Sequence, residues 1–130
     1  MILIIVGMCQ GKGKLARELS GMDEEAFACN LADGCCDRPE TAWEKRFLTG
    51  FHGWVYRLLE EGADTEAFVK RVLAAEPEIV TMDEVGCGIV PMERKERDYR
   101  EAAGRAGQML AGHAGQVYRV VCGIPVKIKG

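Results

Sequence analysis

Histidine is scarce in this chain of 130 residues, and no Cys-x-x-Cys pair occurs among its six cysteines. Both absences argue against a resident metal site. Cys35 and Cys36 are adjacent, which is poor geometry for two ligands of one tetrahedral zinc, and neither His52 nor His113 completes a ligand spacing. No apolar run approaches the roughly 20 residues that cross a bilayer, and residues 1–6 are too short for the core of a secretion signal. Without such a signal, reduced thiols are the default, buried or partly buried, and the chain is expected in the cytoplasm with no membrane partner. Positive charge is not in excess either. Seventeen Lys and Arg face 20 Asp and Glu, for a net charge of -3, which argues against a nucleic-acid partner.

What is there is apolar residues and glycine: 48% of the chain is hydrophobic and 16 residues are Gly. That is enough for one core, and a single domain over residues 1–130 is expected. Residues 2–6 form an unbroken aliphatic, β-branched run, as in a strand buried on both faces of a parallel sheet. Residues 12–19 read as a helix that stops at Gly21. Residues 26–31 read as a short second strand, followed by a loop over 33–39. Trp43, Phe47, Phe51, Trp54, Val55 and Leu58 recur at spacings of three and four, which predicts one helical face ending at Gly62. Asp64 or Thr65 caps the next helix, with Phe68, Val69, Val72 and Leu73 inward and Pro77 as its stop. Residues 78–82 read as a second buried strand ending at Asp83 and Glu84, and 85–91 as a glycine-containing loop. Residues 94–110 read as a solvated amphipathic helix whose arginines pair internally with its glutamates. Residues 116–122 and 126–129 read as two closing strands. The alternation predicts an α/β fold: a mainly parallel sheet with helices on its faces.

The strand at residues 2–6 runs into Gly7, Met8, Cys9, Gln10, Gly11, Lys12 and Gly13, and a helix follows. That is the context of a phosphate-binding loop, and these seven residues are the candidate nucleotide contacts. Glycines let backbone N–H groups turn toward a phosphate, the helix N-terminus adds partial positive charge, and a lysine reaches the outer phosphates. Gly11-Lys12 matches the central pair. Val6 stands where the first glycine belongs, and Gly13 where a hydroxyl should hold Mg²⁺. Water can replace that ligand, so weakened metal-nucleotide binding is expected. Asp83 and Glu84 fall at the carboxyl edge of the predicted sheet, where α/β folds bind ligands. A carboxylate there can hold Mg²⁺ through water or take a proton from an acceptor hydroxyl. Trp43 and Trp54 are assigned to core packing.

The stretch Val80-Thr81-Met82-Asp83-Glu84-Val85-Gly86-Cys87-Gly88-Ile89-Val90-Pro91 resembles Val-Thr-Asn-Glu-Val-Gly-x-Gly-Ile-Val-Pro. That is a signature of the bifunctional adenosylcobinamide kinase / adenosylcobinamide-phosphate guanylyltransferase family of cobalamin biosynthesis. The resemblance runs on through residues 99–108 and closes at 120–129, near the family's terminal Val-x-Gly-Ile-x-x-Lys-Ile-Lys. It implies a three-layer, RecA-like P-loop NTPase fold, often assembled as a homotrimer. It implies ATP or GTP with Mg as phosphoryl donor to the aminopropanol hydroxyl of a cobinamide-type corrinoid, then GMP transfer from GTP through a covalent histidine. Residues 30–47 replace a longer family segment that carries this histidine, and contain none. His52 lies further along, resembles a short-form Asn-His-Phe-His motif, and is a catalytic candidate; its alternative is a satisfied core or surface histidine. Asp83 stands where the family has Asn. Two readings follow. One is a cobinamide kinase-like phosphotransferase, its guanylyltransferase half lost or altered, with Lys12, Asp83, Glu84 and His52 as catalytic candidates. The other is a catalytically inactive nucleotide- or corrinoid-binding relative with a regulatory or structural role.

Overall fold

A computed structural model describes residues 1–7, 12–84 and 93–130, with Lys12 described by its backbone. The readings placed on Met8, Cys9, Gln10 and Gly11 and on the loop at 85–91 lie outside the described residues. In chain order the elements are β1 (Ile2–Val6), α1 (Lys12–Ser20), α2 (Glu24–Cys29), β2 (Leu31–Asp33), a 3-10 turn (Pro39–Trp43), β3 (Phe47–Thr49), α3 (Phe51–Glu60), α4 (Thr65–Ala74), β4 (Ile79–Asp83), α5 (Arg94–His113), β5 (Gln116–Val121) and β6 (Ile124–Lys129). One sheet runs β2-β3-β4-β1-β5-β6. Every neighbouring pair is parallel except β5 and β6, which form an antiparallel hairpin.

The sheet is central because its inner strands carry apolar side chains on both faces. Leu3, Leu48, Val80 and Val117 face α3, α4 and α5, where Trp54, Val55, Val69, Val72 and Leu110 close the larger cluster. Ile4, Phe47, Ile79 and Val120 face the other way, against Ala16 of α1 and Phe27 of α2. Helices therefore cover both faces, the three-layer α/β architecture expected of a P-loop NTPase.

Two sequence expectations fail locally. Residues 26–31 are not a strand. The Asp23 carboxylate accepts the Ala26 N–H at 2.7 Å and caps α2, with Glu24 and Glu25 in its first turn where the helix dipole favours them. The strand begins only at Leu31. Nor do Trp43 through Leu58 share one helix. Phe47–Thr49 is an inner strand of three residues, too short for a period to show, and Gly50 at φ 62 starts α3. The spacings of four from Trp43 to Phe51 are a coincidence of a 3-10 turn, a strand and a helix start.

Smaller corrections follow the same logic. At the hairpin, Cys122 and Gly123 both have positive φ, 52 and 75, as a primed two-residue turn requires. β6 therefore starts two residues before the expected 126, and Pro125 is tolerated because an edge strand need not donate at every position. The charged helix pairs outward as well as along itself: Arg94 lies 4.0 Å from Asp98 one turn on, while Lys95 pairs with Glu60 of α3 and Arg105 with Glu66 of α4 at 3.2 Å. Cys29, Cys35, Cys36 and Cys122 are exposed, not buried, and none is in a disulfide. They sit at a helix end and in turns, where backbone geometry rather than core packing sets side-chain direction.

Candidate functional site

The site grows from the carboxyl ends of the central strands. Val6 ends β1 between Asp83 of β4 and Val120 of β5. The Glu84 N–H donates to the Val6 carbonyl at 2.8 Å and the Gly7 N–H to the Val120 carbonyl at 3.2 Å. The chain thus leaves the sheet at its middle and returns as α1. That helix has no acidic residue in its first turn, so no side chain there offsets the positive end of its dipole. A Cβ on Gly13 would meet nothing within 4 Å.

β3 stops at Thr49, and the ladder beside Asp83 is continued by a side chain. His52, in the first turn of α3, accepts the Asp83 N–H on Nδ1 at 3.1 Å. Its Nε2 lies 3.5 Å from the Asp83 carboxylate. An accepting Nδ1 assigns the proton of the neutral ring to Nε2, facing that carboxylate. Tyr99 of α5 donates to the His52 carbonyl at 3.5 Å. Next door, Glu84 turns to Arg119 of β5, whose guanidinium reaches its two oxygens at 3.1 and 3.0 Å.

The place of His52 depends on a glycine junction. The turn after β2 lies against the start of α3. The Gly34 N–H donates to the Thr49 carbonyl at 2.8 Å, and Arg57 donates to the Gly34 and Asp37 carbonyls at 3.1 and 2.6 Å. Trp54 Nε1 donates to the Asp37 carbonyl at 3.0 Å. By local pattern this stretch is plain loop; its role shows only once Gly34, Gly50 and Gly53 meet in space.

Burial first, then the negative charge of Asp83, push the Tyr99 phenol up from 10.0 to about 12. The unfolded phenol ionises near its ordinary value. The neutral form therefore contributes stability fully below pH 10, and that contribution is lost as pH rises through about 12. Absorbance titration is expected to show a phenolate step near pH 12 that Tyr99→Phe removes.

Of the expected site residues, His52 and Asp83 are brought into contact, Glu84 adjoins them on an arginine, and Gly7 and Gly13 flank the candidate phosphate loop. Sequence reasoning missed Tyr99, Arg119, Thr49 and Thr81. Arg119 had a usable signal, as the one charged residue within the run Gln116–Val121. Among the described residues no three His, Cys, Asp or Glu side chains group to hold a metal. Gly13 has no side-chain oxygen to offer a metal. No helix among the described residues is long and apolar enough to cross a membrane.

Residues 40–128 match the family model for cobinamide kinase / cobinamide phosphate guanyltransferase. The chain is 40% identical over 81 residues to the bifunctional adenosylcobalamin biosynthesis protein CobU of Escherichia coli (strain K12), an alignment covering 58% of this chain and 44% of that protein. Against the protein of the same name from Salmonella typhimurium (strain LT2) the identity is 41% over 81 residues with the same coverage. The chain thus spans less than half the length of the curated relatives it matches. His52, Asp83, Glu84, Tyr99 and Arg119 lie inside the matched residues, and residues 7–13 precede them.

Proposed function

This chain belongs to the cobinamide kinase / cobinamide phosphate guanyltransferase family, and from that premise we propose that it is a nucleotide-dependent phosphotransferase of cobalamin biosynthesis. Its acceptor in this reading is the aminopropanol hydroxyl of a cobinamide-type corrinoid. The observation that carries the proposal is the His52–Asp83 pair at the end of β4, in register with the end of β1 that leads into the phosphate loop. Backbone N–H groups from Gly7 to Gly13 cradle the phosphates of ATP or GTP, and Lys12 draws charge from the outer ones. Asp83 accepts the hydroxyl proton as the acceptor oxygen attacks the γ-phosphorus, the bond from that phosphorus to the β,γ-bridging oxygen breaks and the nucleoside diphosphate leaves, and the His52 Nε2–H holds the Asp83 carboxylate in place. Mg²⁺ bound with the nucleotide neutralises developing phosphate charge.

The arrangement of His52 supports a positioning role over a nucleophilic one, because Nδ1 accepts a backbone N–H and Nε2 faces a carboxylate. We therefore read the guanylyltransferase half as lost or altered. Residues 1–130 serve as one nucleotide-binding domain, in a cytoplasmic protein that assembles as a trimer, and light scattering checks the assembly. Gly13 favours a second reading, in which the chain binds nucleotide or corrinoid without turnover, since the loop lacks its metal-binding hydroxyl. Calorimetric titration with ATP and with GTP tests the ground both readings share. Binding that falls at least tenfold in Lys12→Ala is expected. Equal behaviour of the variant and the wild type, with no binding by either, would sink both.

A further inference from the structure

The two faces of the sheet are covered unequally. On one side lie α3, α4 and α5, of ten, ten and 20 residues; on the other lie only α1 and α2, of nine and six. The thin cover leaves a cavity of about 200 Å³ beneath α1, with walls formed by Ala16, Phe27, Phe47 and Ile79. Gly13 borders it where α1 begins, and Thr49 and Thr81 give it its polar end. Through Gly13, Phe27 and Leu31 it adjoins an open surface groove of about 350 Å³ edged by Lys14 and Arg17.

The threonine pair is chemically incomplete. Thr81 is 1% exposed, and its hydroxyl shares one hydrogen bond of 2.9 Å with that of Thr49. Two hydroxyls carry two protons, and a mutual bond uses one. The second has no acceptor among the described residues. Thr81 and Asp83 are two residues apart on β4, so strand alternation puts their Cβ atoms on one face, about 7 Å apart.

We propose that this cavity is the acceptor subsite and takes the hydroxyl-bearing aminopropanol arm of the corrinoid; the inference rests on the phosphotransferase reading given above. The arm's hydroxyl oxygen accepts the spare threonine proton and turns its own proton toward Asp83. Its carbons lie against Phe27, Phe47 and Ile79. Size selects an arm and excludes a macrocycle: at about 30 Å³ for a water-sized group, the cavity holds on the order of six heavy atoms. The macrocycle stays outside, in the groove edged by Lys14 and Arg17.

Equilibrium dialysis of adenosylcobinamide against wild type, Thr49→Val and Ala16→Leu tests this, with each variant's fold checked by circular dichroism and its nucleotide affinity measured alongside. Thr49→Val keeps the shape and removes a hydroxyl, so it is expected to weaken corrinoid binding about three- to tenfold. Ala16→Leu fills the cavity and is expected to weaken it more than tenfold. Nucleotide affinity stays within twofold of wild type in both. Folded variants that bind the corrinoid as wild type does would overturn the subsite and leave the phosphotransferase reading standing. A wild-type protein that binds nucleotide but no corrinoid would overturn that reading, and the subsite with it.

Discussion

Asp83→Asn is expected to lower phosphoryl transfer by about 10²- to 10⁴-fold, the usual worth of a positioned proton acceptor. Nucleotide affinity is expected to stay within a few-fold. The substitution isolates charge from shape. The backbone N–H that His52 accepts at 3.1 Å is untouched, and an amide oxygen can still accept from the His52 Nε2–H. What goes is the capacity to take the acceptor's proton. Asn is also what the resembled signature has at this place, so the substituted protein should fold well. Its turnover, measured under single-turnover conditions with saturating nucleotide, separates a base from a bystander. Retained turnover would remove Asp83 from the chemistry. His52→Asn serves as the control: its side-chain oxygen falls near the position of Nδ1 and can accept the same N–H, so a smaller loss is expected than from His52→Ala. The alanine leaves that donor unmet, at a cost of about 1–3 kcal/mol.

Gly34→Ala is expected to be the most damaging single-atom-scale change to the fold, with a loss of about 3–5 kcal/mol. A Cβ at Gly34 would stand 2.1 Å from the Gly50 carbonyl oxygen and 3.1 Å from Trp54. The first of these is backbone and cannot rotate away. Gly53 meets the same wall from the other side, since its Cβ would fall 2.6 Å from the Gly34 oxygen. The turn must therefore lift off α3. That breaks the bonds from Trp54 and Arg57 to the Gly34 and Asp37 carbonyls and displaces the helix end that carries His52. Gly104→Ala is the contrast. It lies within α5, nothing is within 4 Å of its Cβ, and the helix gains about 0.5–1 kcal/mol from the loss of glycine. Thermal melts of the two variants should move in opposite directions from wild type, with the Gly34 variant falling by more than about 10 °C.

The outer frame of the fold was legible in the residues. β1 and β4 read as apolar runs, and α4 carried its Asp64 cap, whose carboxylate accepts the Ala67 N–H at 3.1 Å. α5 announced itself by charge and alanine. The middle was not legible. β2 and β3 have three residues each, less than any period needs to show. Phe47 and Leu48 look the same in a helix core as in a strand buried on both sides. The identity of Gly34, Gly50 and Gly53 was plain, but their shared purpose depends on contacts between a turn and a helix start that no local pattern encodes. At the site, the resemblance pointed to Asp83 and Glu84, and the loop motif to Gly7 through Gly13. The contact between His52 and Asp83 came only from topology, since β3 ends early enough for a side chain to take its place on the ladder. Arg119 and the Thr49–Thr81 pair are of the same kind: Arg119 of β5 reaches Glu84 past β1, and Thr49 meets Thr81 on the adjacent strand, in a sheet whose order the chain does not announce.

The most direct measurement is a single incubation of the protein with adenosylcobinamide, Mg²⁺ and either ATP or GTP, with the corrinoid followed by mass. The expected result is a corrinoid heavier by one phosphoryl group, formed by wild type and lost in Lys12→Ala. Nucleotide binding without any gain in corrinoid mass would contradict the phosphotransferase reading and leave a binding protein in its place.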